Sequence, residues 1–365
     1  MLGKSVSRST VNVPPLHYVK TADNLHISYF TIGEGPPLVF ASNIFGDAHS
    51  YSQLARHHVR GVTDGLVALG WNVIRHDVRG MGSSDRAVDD FSLQARASDL
   101  EAVVDGLGLE RFALAGVDIG AATAVAFTAR NLHRVSRLVL LSPWVSGADM
   151  FAIPDLRVAT SAIARGHREW EVFTNVLANV AHSFEDVAAG LQLAISMRQS
   201  TTPECLARYN KASESIDLRN LLPQLTMPAL VIHEPSFPFG SLDLCRDVAK
   251  KIPNARFVVV NDKSIAGTVH DGHIFAIDGF LRSRTADPVI SAAPPTVTGT
   301  RLTAREVQVL RRVAGGLTSK EIATTLGLAA PTVERHLANI YTKIGARGRV
   351  DATAYAIRNG LSKTS

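Results

Sequence analysis

Along the first three-quarters of the chain, short apolar runs alternate with stretches of helical period. PLVFAS (37–42), WNVIRHD (71–77), FALAGV (112–117), RLVLLS (137–142), PALVIH (228–233) and RFVVVN (256–261) are β-rich and apolar at successive positions. A parallel sheet covered by helices on both sides requires strands of this kind. The expected architecture is α/β, a doubly wound sheet. Segment 143–227 is too long for a plain crossover and carries helical patterning such as REWEVFTNVLANVAHSFEDVAAGLQLAI, which predicts an inserted helical cap. Its aromatics Phe151, Trp170, Phe173, Phe184 and Tyr209 are candidates to line a pocket, with packing of the cap as the simpler role for each. At 283–299, SRTADPVISAAPPTVTG has no hydrophobic period and reads as an extended linker. Beyond it four helices are predicted, over 304–314, 319–326, 331–344 and 349–359, set by period and by glycine stops. The domains are therefore expected at 1–282 and 300–365.

Composition sharpens this division. Of 365 residues, 46% are hydrophobic and 19% charged, enough apolar surface for globular folding. The net charge of +5 is unevenly spread: the last 66 residues hold 11 Lys/Arg against 4 Asp/Glu, the remainder 27 against 29. A basic end on a faintly acidic body suits a polyanionic partner. Cys205 and Cys245 are too few for a disulfide framework and lack zinc spacing, so no metal or cofactor is expected. No signal-like segment or 18-residue apolar run occurs, and a cytoplasmic protein without a membrane partner is expected.

Two constellations carry chemistry. Gly116-Val117-Asp118-Ile119-Gly120-Ala121 sits between a predicted strand and the helical run TAVAFTAR. This is the pattern of a nucleophile elbow, in which flanking glycines let the backbone pass close to its neighbours. Asp77-Val78-Arg79-Gly80-Met81-Gly82-Ser83-Ser84-Asp85 precedes it and Gly272-His273 follows near the end of the domain. From about His17 to Leu281 the order of these motifs resembles the α/β-hydrolase family. The elbow aspartate resembles the branch of epoxide hydrolases and haloalkane dehalogenases. That resemblance implies Asp118 as nucleophile and His273 as base, catalysis proceeding through an ester. Two departures oppose efficient turnover. Ser42-Asn43 replaces the family's His-Gly after the first apolar run, and Ser236-Phe237 stands where an acid should orient the histidine. Glu234, Asp243 and Asp271 are candidate substitutes, none at the expected spacing. Little or no hydrolysis is expected, and the pocket residues Asn43, Ile44, Asp118, Ile119, Trp144 and His273 are assigned instead to binding a small apolar effector.

In the tail, two short helices flank a glycine-containing turn, and the following helix is polar on its outer face, as a helix-turn-helix requires. The signatures L-T-x-R-E (302–306), G-L-T-S-K-E-I-A (316–323), T-V-x-x-H-x-x-N-I (332–340) and K-I-G (343–345) closely resemble the DNA-binding domain of LuxR-type regulators. The resemblance implies Lys320, Thr332 and Lys343 on phosphates and Glu334, Arg335 and Asn339 at base edges. His336 lies on the same face, and Val333 is placed at a thymine methyl or in the core. A homodimer on a double-stranded operator is implied. The expected function is a ligand-responsive transcription regulator. The alternatives are an active hydrolase with a DNA-binding tail, and a constitutive DNA-binding protein whose larger domain only dimerises.

Overall fold

The computed structural model describes residues 14–42, 44, 58–153, 157, 160, 167–181, 187–235, 237, 240–260, 271–283, 304–314, 317–326, 333, 336–337, 340–341 and 352. The chain forms two compact units, Met1–Pro294 and Pro295–Ser365.

The larger unit is built on eight strands: β1 (His17–Lys20), β2 (His26–Ile32), β3 (Pro37–Ala41), β4 (Asn72–His76), β5 (Phe112–Val117), β6 (Val135–Leu141), β7 (Ala229–His233) and β8 (Ala255–Val259). They form one sheet in the order β1-β2-β4-β3-β5-β6-β7-β8. β1 pairs antiparallel with β2 and β2 antiparallel with β4, and every later pairing is parallel. The parallel strands are the six apolar runs of the sequence. The antiparallel β1-β2 hairpin was not among the predicted strands. β1 is mostly exposed, and its turn is closed by Asn24 in a left-handed conformation, φ 73°.

Helices α1 (His58–Ala68), α2 (Leu93–Gly106) and α3 (Ile119–Arg130) connect the first parallel strands. Between β6 and β7 lie α4 (Gly147–Phe151), α5 (His167–Ala181), α6 (Val187–Ser200) and α7 (Pro203–Glu214). Helices α8 (Leu242–Lys251) and α9 (Asp271–Arg282) complete the unit. Packing accounts for most of the cap aromatics: Trp170 and Phe173 are buried and stacked with ring centres 5.4 Å apart, and Tyr209 is fully buried under Arg96. Phe151 is half-buried, and Phe184 lies outside the described residues.

One buried ion pair fixes the loop after β4. Arg79 donates to both carboxylate oxygens of Asp99 on α2, each at 2.7 Å, and reaches Asp23 at 2.8 Å. At the far end of the unit, α9 is fastened to the sheet. The Trp71 indole donates to Asp278 at 2.8 Å, Arg282 bonds Asp278 at 2.6 Å and lies over Trp71, and Arg137 donates to the Ser283 carbonyl.

The smaller unit contains α10 (Ala304–Ala314) and α11 (Ser319–Leu326). A capping box starts α11: the Thr318 backbone N–H donates to Glu321 at 2.7 Å while the Glu321 N–H returns to the Thr318 hydroxyl at 3.4 Å. Val309, Leu310, Val313, Ile322, Ala323, Val333, Leu337, Ile340 and Ala352 form a core of its own. The unit thus buries its apolar face internally.

Candidate functional site

Three neighbouring strands deliver their carboxyl ends to one place. β5 ends at Asp118, β6 leads through Ser142 to Trp144, and β7 ends at His233 and Glu234. Backbone bonds join the ends: the Asp118 N–H donates to Leu141 and the Ser142 N–H to Ile232, at 2.9 and 2.8 Å. Ligands of open α/β sheets bind beyond such carboxyl ends.

Asp118 has φ 51° and ψ −117°, a strained conformation for a side chain with a Cβ, costing about 1–3 kcal/mol. The flanking glycines explain how the turn is tolerated. A Cβ on Gly116 would stand 2.6 Å from the Gly120 carbonyl oxygen, and one on Gly120 would collide with the Ala41 carbonyl. Strain is confined to the residue whose side chain the turn presents. Asp118 is only 6% exposed, and its Oδ1 accepts a hydrogen bond from the Trp144 indole at 3.0 Å.

His273, in the first turn of α9, is equally buried, and its Nε2 is 3.4 Å from Glu234 Oε2. Glu234, the first residue after β7 and one of the acids considered for the missing slot, is thus within ion-pair distance of His273. Phe237, in the slot itself, instead donates its N–H to the Glu234 carbonyl in a turn; Ser236 lies outside the described residues. Asp243 is largely exposed beside Arg246, and the Asp271 side chain lies outside the described residues.

Two further groups border the site. Cys245 is fully buried, its Sγ 3.8 Å from His233 Nδ1. Burial, together with the nearby Asp118 charge, pushes its thiol up to about 12. It is a neutral packing group at neutral pH. Burial also lowers His233, as it lowers His76 to about 4. His76 carries the Ser42 hydroxyl on its backbone carbonyl, so the serine that replaces the family's histidine is turned toward β4. His233 closes the apolar run of β7 and Cys245 lies within α8, and neither position carries a motif that marks it as part of a site.

Of the remaining pocket residues, Ile119 is buried, Ile44 is half-buried, and Asn43 lies outside the described residues. In the tail, Lys320 lies on α11 and His336 is half-buried. Thr332, Glu334, Arg335, Asn339 and Lys343 lie outside the described residues. Val333 is fully buried in the tail core, the second of its two expected places.

The sheet order and the elbow define an α/β-hydrolase domain, and residues 36–166 match the alpha/beta hydrolase fold family. Residues 300–356 match the bacterial regulatory proteins of the luxR family, so the chain joins a LuxR-type helix-turn-helix domain to a hydrolase-fold domain. The hydrolase part is similar to the AB hydrolase superfamily protein YisY of Bacillus subtilis, 32% identical over 34% of this chain and 44% of that protein. The tail is similar to the transcriptional regulatory protein YdfI of the same organism, 45% identical over 17% of this chain and 29% of that protein. The chain therefore spans less than half the length of either relative. In fold, an esterase from Exiguobacterium antarcticum superposes with a TM-score of 0.61 at 16% identity, covering 73% of this chain and 99% of the esterase. Among the described residues no helix is long and apolar enough to cross a membrane.

Proposed function

We propose that this chain is a ligand-responsive transcription regulator, in which the hydrolase-fold domain binds a small molecule beside Asp118 and His273 and the tail binds an operator as a homodimer. The observation that carries the reading is the joining of a LuxR-type DNA-binding domain to a fold whose elbow still presents a buried side chain. Lys320, Thr332 and Lys343 contact phosphates. Glu334, Arg335 and Asn339 read bases, with His336 beside them. A coupling of about 1–3 kcal/mol between effector and DNA suffices for control. The test is binding of the full chain to duplexes from its own promoter neighbourhood, with and without compounds that raise its melting temperature. Compounds that occupy the larger domain and leave DNA affinity unchanged would refute sensing. Arg335→Ala should weaken binding to the preferred duplex by about 1–3 kcal/mol.

A second reading, retained hydrolysis, is favoured by one observation, the contact of His273 with Glu234. In that reading the Asp118 carboxylate attacks the substrate, and His273, oriented by Glu234, activates the water that cleaves the ester. Rapid product formation from ester, epoxide or haloalkane panels, abolished in Asp118→Asn, would establish it over pure sensing.

A further inference from the structure

Helices α5 and α6 of the inserted cap run antiparallel, late α5 against early α6. Gly190 leaves room for Asn179, since a Cβ there would stand 2.7 Å from the Asn179 Oδ1, and at the other end Arg198 donates to Thr174 and Asn175 at 2.6 and 3.3 Å. Trp170, Phe173 and Leu177 of α5 and Leu193 and Met197 of α6 are buried in the core. The apolar content does not stop there. Val172 and Val176, one turn apart on α5, are 59% and 47% exposed, and Val187 and Leu191, one turn apart on α6, are 66% and 49% exposed. Residues four apart share a helix face. Val176 and Leu191 each follow by one position a residue of the seam, Asn175 and Gly190, so the four side chains form a band along the outer side of the hairpin. A surface helix normally gives such positions to polar side chains, and contiguous exposed apolar surface marks an interaction site.

Charge selects the occupant. VFTNVLANVA (172–181) and VAAGLQLAISM (187–197) contain no charged residue. The described charges flanking them on these helices are the exposed Glu169 and Glu171 and, on α6, Arg198, which is engaged with Thr174 and Asn175. A lipid surface or a nucleic acid is met through lysine and arginine, which these two stretches lack. In a twofold contact the same patch meets itself, so a charge on it would face its like, and an uncharged patch carries no such penalty. The remainder of the chain does not oppose the approach, because outside the last 66 residues 27 basic side chains stand against 29 acidic ones. With helices of 15 and 14 residues, the hairpin face is about 22 Å long and about 20 Å wide. Two such faces bury about 900 Å² in total, short of the roughly 1,200 Å² of a stable interface, so the contact is a reversible one with a dissociation constant in the micromolar range.

We propose that the outer face of the cap hairpin is a contact between two copies of this chain, formed with neither effector nor DNA. Sedimentation velocity of the full chain without DNA, over concentrations from micromolar to hundreds of micromolar, should show a reversible monomer–dimer equilibrium. Val176→Glu and Leu191→Glu change exposed side chains, and circular dichroism should show the fold intact. Each should raise the dissociation constant tenfold or more. Val176→Lys should act in the same direction, because burying a charge opposes the contact whatever its sign. A wild-type monomer at every concentration, or a dimer that none of the three substitutions weakens, overturns the proposal. So does a monomer that floats with phosphatidylcholine vesicles and fails to float in Leu191→Glu, which would give the face to lipid. Since operator and effector are absent from this measurement, its failure leaves the regulator reading where it stands.

Discussion

Replacing Asp99 by leucine removes both bonds of the bidentate pair that anchors the loop after β4. Arg79 and Asp99 are 1% and 2% exposed in their side chains, so the guanidinium left behind cannot be hydrated in place. Deleting one partner of a buried pair costs about 3–5 kcal/mol. Here Asp23 still reaches Arg79 at 2.8 Å, and the Asp90 carbonyl accepts another bond at 3.0 Å, which puts the expected loss near the lower end, about 3 kcal/mol. Asp23 is itself half exposed, so Asp23→Ala should cost only about 1 kcal/mol or less. The double variant Arg79→Met/Asp99→Leu removes the stranded charge and should be cheaper than the sum of the two single variants. Urea unfolding followed by tryptophan fluorescence measures this cleanly, because Trp71, Trp144 and Trp170 all lie in the larger unit. With a slope of about 3 kcal/mol/M, the Asp99→Leu midpoint should fall by about 1 M. A loss below about 1 kcal/mol, or strict additivity in the double variant, would refute the reasoning.

Gly120→Ala places a methyl group against the Ala41 carbonyl and should cost several-fold in soluble folded yield, with Asp118→Asn as a control that keeps the backbone; equal yields would contradict the close approach. Thr318→Ala breaks the capping box of α11 and should destabilise the tail by about 1 kcal/mol in thermal unfolding followed by circular dichroism, leaving the tryptophan-detected transition unchanged. His76 is depressed to about 4 by burial, so the folded state binds fewer protons than the unfolded one; its contribution to stability is full above about pH 6.5 and is lost as the pH falls towards 4. The acid limb of the urea midpoint against pH should flatten in His76→Gln, and an unaltered limb would remove His76 as its source.

The parallel strands were legible because both their faces are buried, which writes a continuous apolar run. β1 and β2 escaped because an edge hairpin with one exposed strand has no such run. The elbow could be read from glycine spacing, since only a residue without a Cβ fits against Ala41. The acid opposite His273 could not be read by spacing. Glu234 leaves the strand directly, and the turn closed by the Phe237 N–H, a three-dimensional matter, sets where its carboxylate lies. In the tail, Val333, Leu337 and Ile340 stand at helical spacing and all three lie in the core. Helical period favoured the core for Val333, and motif position suggested the thymine contact as its alternative.

Helix α9 holds His273 at one end and runs to Arg282 at the other, where Trp71 and Arg137 grip it just before the chain departs for the tail. The imidazole of the candidate site and the Trp71–Asp278–Arg282 clasp are consequently two ends of one stiff rod, so whatever tilts the helix at the clasp also shifts the His273–Glu234 contact.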